Sequence, residues 1–185
     1  MGPRRLFAGA SGYSFKAWKG VFYPADLKPE GMLAFYSERL PTVEINNSFY
    51  RMPSTAVLAG WADRTPASFR FSIKAPRRIT HLGRLHAEAV AGPVAHLYNA
   101  LATLDAKRGP VLFQLPASVK LDLPRLREFL ALLPADHRAV LEFRNESWLC
   151  DNVYAELKSA GACLCLSERP EGPAPATAAG SGGRC

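Results

Sequence analysis

No stretch of this 185-residue chain approaches the roughly 18 consecutive apolar residues that a membrane-spanning helix needs, which excludes a protein built on such helices. Met1 to Phe7 passes straight into a strand-like segment, without the long apolar stretch and small-residue cleavage site of a secretory signal. A cytoplasmic protein, not bound to a membrane, is the expectation. Cysteine is scarce, with only Cys150, Cys163, Cys165 and Cys185. No CxxC pair or His-rich spacing accompanies them, so nothing indicates zinc. Cys163 and Cys165 stand two apart in a strand-like run and share one face, which disfavours a bridge between them. Buried free thiols are expected. Gly9-Ala10-Ser11-Gly12 follows a strand but lacks the spacing of a dinucleotide fingerprint or a P-loop, and reads as a tight turn. No Ser-His-Asp or Cys-His arrangement is readable; Cys165 and Ser167 lack an assignable base. Without an aspartate cluster or a strand histidine to join its carboxylates, no metal site is expected, and no cofactor is indicated.

What is present suits a globular domain. Hydrophobic residues make up 48% and charged residues 21% of the chain, enough to build a core. The net charge of +7 favours an anionic ligand or nucleic acid. Because Lys and Arg are scattered rather than gathered into one stripe, a solvated basic surface is the competing reading.

Six short apolar runs recur: Leu6–Gly9, Thr42–Asn46, Phe69–Lys74, Val111–Leu115, Ala139–Arg144 and Ala162–Ser167. Amphipathic stretches with helical spacing lie between them: Glu30–Arg39, Thr55–Asp63 after Pro53-Ser54, Pro93–Ala106, Pro124–Leu133 after Asp122, and Asp151–Ser159. Gly109-Pro110 and Gly161 are expected to stop two of these helices. Strand then helix, repeated, means parallel strands joined by crossovers. The inward faces choose between an open doubly wound sheet and a barrel. Thr42, Glu44 and Asn46 share a face, as do Arg70, Ser72 and Lys74, then Leu112 and Gln114, then Val140, Glu142 and Arg144. The opposite faces are apolar. A doubly wound strand is apolar on both faces, whereas helices outside and a lumen polar at its upper end describe a (β/α)-barrel of TIM type.

Such a barrel has eight strands and typically about 250 residues. Six are legible by Ser167. The expectation is an α/β chain holding about six of eight βα units over residues 1–168. A Pro-, Gly- and Ala-rich tail, 169–185, is expected to be disordered. The chain then reads as a shortened form of a longer barrel, from a premature stop or shifted frame, or as one that a partner closes.

Gly9-Ala10-Ser11-Gly12-Tyr13 with Trp18 and Phe22-Tyr23-Pro24 resembles the opening of the YecE-like family, a widespread domain of unknown function. So do Val43-Glu44-Ile45-Asn46-Asn47-Ser48-Phe49-Tyr50 and Phe71-Ser72-Ile73-Lys74-Ala75-Pro76-Arg77-Arg78-Ile79-Thr80-His81. Leu112-Phe113-Gln114-Leu115-Pro116 and Leu141-Glu142-Phe143-Arg144-Asn145-Glu146-Ser147-Trp148 complete the series in order, over roughly residues 7 to 168. The resemblance implies a TIM-barrel fold and supplies no reaction. Family members usually continue through a Tyr-Val-Arg-Leu-His-Gly-like strand and a last strand bearing Asn or Asp; this chain departs from that pattern after Ser167.

In a (β/α)-barrel the carboxyl ends of the strands converge on one site. Glu44, Asn46, Lys74, Gln114, Glu142, Arg144 and Ser167 are so placed. Glu44 and Glu142, with Lys74, are the candidate catalytic residues, as an acid and a base held in different surroundings. Alternatively they pair with Lys74, Arg70 or Arg144 in a charge layer that orders the lumen. Lys74 opens a basic loop with Arg77, Arg78 and His81, an anion pocket or a solvated loop. Tyr13, Trp18, Tyr50 and Trp148, with Phe15, Phe22, Tyr23 and Phe49, are expected near the same rim, where aromatic walls stack a nucleobase or sugar or merely cap the barrel. Two functions fit. One is a hydrolase or lyase acting on an anionic small molecule: a phosphorylated metabolite, nucleotide or sugar. The other is a non-catalytic module that binds a small ligand or nucleic acid.

Overall fold

The computed structural model describes residues 6–168. Six strands form one parallel sheet: β1 (Gly9–Ala10), β2 (Thr42–Ile45), β3 (Arg70–Lys74), β4 (Arg108–Leu115), β5 (Ala139–Phe143) and β6 (Cys163–Leu164). Each pairs with the next in sequence, in the order β1-β2-β3-β4-β5-β6. That order decides the architecture. A doubly wound sheet reverses direction at a switch point, whereas sequential parallel strands with right-handed crossovers carry every helix on one face. The chain is therefore an α/β fold of the barrel type, with six strands among the described residues.

The helical layer consists of α1 (Met32–Ser37), α2 (Thr55–Asp63), α3 (Ala87–Leu101), α4 (Leu123–Ala131) and α5 (Asp151–Ala160). The core lies between it and the outward strand faces. Val43, Phe71, Ile73, Phe113 and Leu141 are fully buried, as are Tyr36, Leu58, Leu97, Leu126 and Val153 beneath the helices. β2 and β3 alternate half-buried and buried residues, the pattern of a strand with apolar atoms on one face only.

The expected caps are in place at two helices. The Ser54 hydroxyl accepts from the Val57 amide at 3.3 Å, and the Asp122 carboxylate from the Arg125 amide at 3.0 Å. Gly161 closes α5 with φ +70°, a left-handed conformation that side chains resist. α5 begins at Asp151 as expected, with Cys150 in the cap position. Other boundaries differ from expectation. α1 is shorter, because Pro29–Gly31 forms a 3-10 turn before it. α3 begins six residues before Pro93 and ends at Leu101. Val90, one turn ahead of Val94, is also buried, and its burial outweighs the hydrogen bond that Pro93 lacks.

Gly109-Pro110 stops no helix; both residues lie inside β4. Phe71 and Ile73 of β3 pair with Arg108 and Val111 of β4, so β4 carries one extra residue there. A bulge tolerates a proline that cannot donate to the ladder. A Cβ on Gly109 would stand 2.7 Å from the Phe71 carbonyl oxygen, so only glycine fits this approach.

Two side chains tie the frame together. The Tyr36 hydroxyl accepts from the Ala10 amide at 2.7 Å and donates to the Thr42 carbonyl at 2.9 Å, clipping the two-residue β1 to β2. The Lys107 ammonium donates to the Ala62 carbonyl and, at 2.5 Å, to the Thr65 carbonyl, capping the end of α2. Cys163 is buried, and Cys150 and Cys165 are half-buried. Among the described residues no helix is long and apolar enough to cross a membrane. The expected tail, 169–185, lies outside the described residues, as does Cys185.

Candidate functional site

The inward positions of β2 to β5 put Glu44, Lys74, Gln114 and Glu142 on the lumen face near the carboxyl ends of four neighbouring strands. Gln114 and Glu142 are direct register partners; Glu44 stands beside Ser72, and Lys74 beside Leu112. Asn46 and Arg144 follow the ends of β2 and β5.

Glu142 is only 6% exposed, and a buried anion demands partners. It has one for each oxygen: Gln114 Nε2 donates to Oε2 at 2.7 Å, and Arg144 Nε to Oε1 at 3.3 Å. Gln114 thereby fixes the carboxylate while Arg144, half in solvent, carries its guanidinium toward the mouth. Glu44 is held differently. Ser11 Oγ donates to Glu44 Oε1 at 2.6 Å, and Asn46 Nδ2 donates to the same Ser11 hydroxyl. Among the described residues the charge layer is thus realised only at Glu142 and Arg144. Arg70 lies at the other end of β3, its guanidinium donating to the Ala67 and Phe69 carbonyls at 3.0 and 2.9 Å.

The basic side of the site is built around Phe49. Lys74 Nζ lies 5.3 Å from the centre of that ring, and His81 meets it edge-on at 4.8 Å. Lys74 forms no ion pair among the described residues. His81 sits on a single π-turn, Arg78–Leu82, with Nδ1 2.9 Å from Thr80 Oγ1. Burial, then the charges of Lys74 and Arg144, hold the His81 imidazole below its ordinary value of 6.5. Lys74 and His81 thus share the Phe49 ring, and the charge of Arg144 reaches the same imidazole. Arg77 and Arg78 are exposed on the loop beside them.

The aromatic residues part company. Tyr50 is 75% exposed and rests edge-on against Phe49 at the rim. Trp18 is half-buried at the centre of a cluster with Phe15, Phe22, Tyr23 and Tyr36, stacked on Tyr36 at 6.5 Å. Tyr13 is half-buried and packs on Tyr36 against the core; burial raises its hydroxyl pKa, while Arg64 and Trp61 lower it. Trp148 is fully buried, stacked on Phe143 at 4.6 Å with Nε1 donating to the Val119 carbonyl at 2.8 Å. The site therefore gathers Glu44, Asn46, Lys74, His81, Gln114, Glu142 and Arg144, with Tyr50 at its edge. Tyr13, Trp18 and Trp148 are packed into the fold. Sequence reasoning missed Ser11, which links Glu44 to Asn46, and Phe49 as the shared face of Lys74 and His81. The only signal for Ser11 was its place after the first strand in the Gly-containing turn.

Chemically, the arrangement offers two carboxylates in unlike surroundings, an imidazole neutral at pH 7, and two cations beside it. Such a set can hold an anion and move a proton.

Known proteins share this frame. Residues 7–182 match the family described as Protein of unknown function DUF72. The UPF0759 protein YecE of Escherichia coli (strain K12) is 30% identical over 112 residues, 60% of this chain and 40% of that protein. The UPF0759 protein YunF of Bacillus subtilis (strain 168) is 27% identical over 145 residues, 74% of this chain and 51% of that one. Among solved structures, a DUF72 family protein from Thermotoga maritima superposes with a TM-score of 0.77 at 28% identity, covering 91% of this chain and 66% of its own. One from Enterococcus faecalis gives 0.71 at 21% identity, covering 90% and 63%. The matched part of this chain spans about half or less of these curated relatives. With its match running over 7–182, the chain belongs to the DUF72 family.

Proposed function

We propose that the carboxyl-end mouth of the barrel binds an anionic small molecule and acts on it as a hydrolase or lyase, with Glu44 and Glu142 moving protons. A phosphorylated metabolite, a nucleotide or an acidic sugar is the substrate class, and the cytoplasm, where such charged metabolites are held, is the place of action. The observation that carries this reading is the convergence of Lys74, His81 and Arg144 around one opening, with Lys74 free of any ion pair among the described residues. Lys74 and Arg144 would take the anion's oxygens. Glu142, held by Gln114, and Glu44, on the Ser11 hydroxyl, are the two carboxylates that would exchange protons with the bound molecule. Tyr50 at the rim offers a face to a base or sugar ring.

The test follows His81. Its ring resonances, assigned by their loss in His81→Gln, are titrated with pH, with and without inorganic phosphate. An anion between Lys74 and Arg144 cancels the charges that disfavour the imidazolium, so phosphate should raise the His81 pKa by about one unit. No movement at saturating phosphate would remove the anion from this site. With phosphate monoesters as substrates, Glu142→Gln should keep binding and lose turnover. Binding with no turnover in either protein would leave the small-ligand module, and steeply salt-dependent binding of oligonucleotides the nucleic-acid one.

A further inference from the structure

The lumen also holds a cavity of about 700 Å³ at the opposite end of the sheet, within the roughly 300–1,000 Å³ of small-molecule pockets. Its wall is made where strands begin: Thr42 of β2, Arg70 and Ser72 of β3, Pro110 of β4, and Arg138 with Val140 at β5, with Phe7 closing it from the incoming chain. Lys74 and Glu142, at the other ends of the same strands, take no part.

The charge in this wall is one-sided. Arg70 and Arg138 stand at the starts of strands separated by β4, and neither forms an ion pair among the described residues. Arg70 uses one terminal nitrogen on the Ala67 and Phe69 carbonyls, and Arg138 uses one on the Arg108 carbonyl at 3.0 Å. The other guanidinium donors of each are uncommitted among the described hydrogen bonds. Asp136, the nearest acid in sequence, is paired with Arg108 and only secondarily feels the charge of Arg138. His137 is occupied at both nitrogens, Nε2 at 2.9 Å from the Ala160 carbonyl and Nδ1 accepting from the Ala139 amide at 3.1 Å. The wall also includes Thr42, Ser72 and Cys163 and the apolar residues Phe7, Pro110 and Val140. Two forked cations beside compact apolar walls recognise an anionic head on a small apolar body.

We propose that the lower lumen is a second ligand site, taking a small molecule with a carboxylate or phosphate-monoester head on a compact apolar or aromatic body. It is independent of the upper mouth. Pro110, which stands in the bulge of β4, adds an apolar surface to this wall.

The experiment follows the Val140 methyl resonances of the full chain during addition of benzoate, phenyl phosphate and, as the neutral counterpart, benzyl alcohol. Both anions, or either one, should shift them saturably, and which does so identifies the head group. Benzyl alcohol should bind about tenfold more weakly or worse, and Arg138→Gln should weaken the anions about tenfold. Arg70→Gln should do the same, but Arg70 also ties the turn at Ala67. Arg138→Gln, which leaves that turn intact, is therefore the deciding variant, with its fold checked by circular dichroism. Lys74→Gln should leave the titration unchanged. Unmoved methyls, equal binding of the alcohol, or full affinity in Arg138→Gln would overturn the proposal. So would loss of binding in Lys74→Gln, which would assign the anion to the mouth. A Val140 response without a His81 response sinks only the upper site.

Discussion

At His81 the charge of the mouth becomes measurable as stability. Burial and the cations Lys74 and Arg144 lower its folded pKa below 6.5, so between pH 6.5 and that lower value the unfolded chain binds a proton that the folded chain refuses. Stability is then lost as pH falls through this window, and nothing is lost above it. His81→Gln removes the difference, so its melting temperature should fall less steeply between pH 7 and 5 than that of the unaltered chain. Equal slopes would mean that neither burial nor the two cations lower the imidazole's pKa. Lys74, Gln114, Glu142 and Arg144 were legible because a strand's period of two fixes the face on which a side chain stands. Ser11 and Phe49 were not, since a loop side chain points wherever its long-range partners hold it, and those partners are 33 residues away for Ser11 and Glu44.

At the scale of elements, the segment Asn145–Trp148 matters more as a clamp than as a wall. Asn145 Nδ2 donates to the Ala117 carbonyl at 2.7 Å, the Leu121 amide donates to Ser147 Oγ at 2.9 Å, and Trp148 reaches the Val119 carbonyl. The loop after β5 is thus fastened to the loop after β4 at three points. These are the loops that follow Gln114 and Glu142, so the clamp keeps those two side chains in register beyond the strand ends. Trp148→Phe leaves the buried Val119 carbonyl unpaired and opens a small cavity, at a cost of about 2–4 kcal/mol. Tyr50→Ala, at an exposed ring, should change stability by about 0.5 kcal/mol or less. Urea unfolding of both variants checks the contrast; equal costs would contradict the clamp. An aromatic in a loop reads the same in sequence whether it stacks on a ligand or on its own core, which is why Trp148 passed for a rim residue. Ser48 shows the same economy between β2 and β3: its buried hydroxyl lies 2.7 Å from both the Ile45 and the Lys74 carbonyl oxygens.

For the whole molecule, strand count and direction came from periodicity, and the barrel from the polarity of one face. Neither signal could locate the bulge in β4, because Gly-Pro reads as a terminator wherever it stands, and only the close passage of β3 explains it. The net charge of +7 acts at this same scale. Self-repulsion among scattered cations is relieved by any salt, so chloride should raise the melting temperature gradually and without saturation. Phosphate at matched ionic strength adds site binding to that screening. At tenfold excess over its dissociation constant the gain is about 1.4 kcal/mol, or roughly 3–5 °C for a chain of this length. Lys74→Gln should abolish the excess of phosphate over chloride if the anion sits at the mouth, and Arg138→Gln should abolish it if the anion sits in the lower lumen. An excess that survives when both substitutions are combined in one chain would place phosphate on the scattered surface charges, and both pockets would then lack the anion their cations imply.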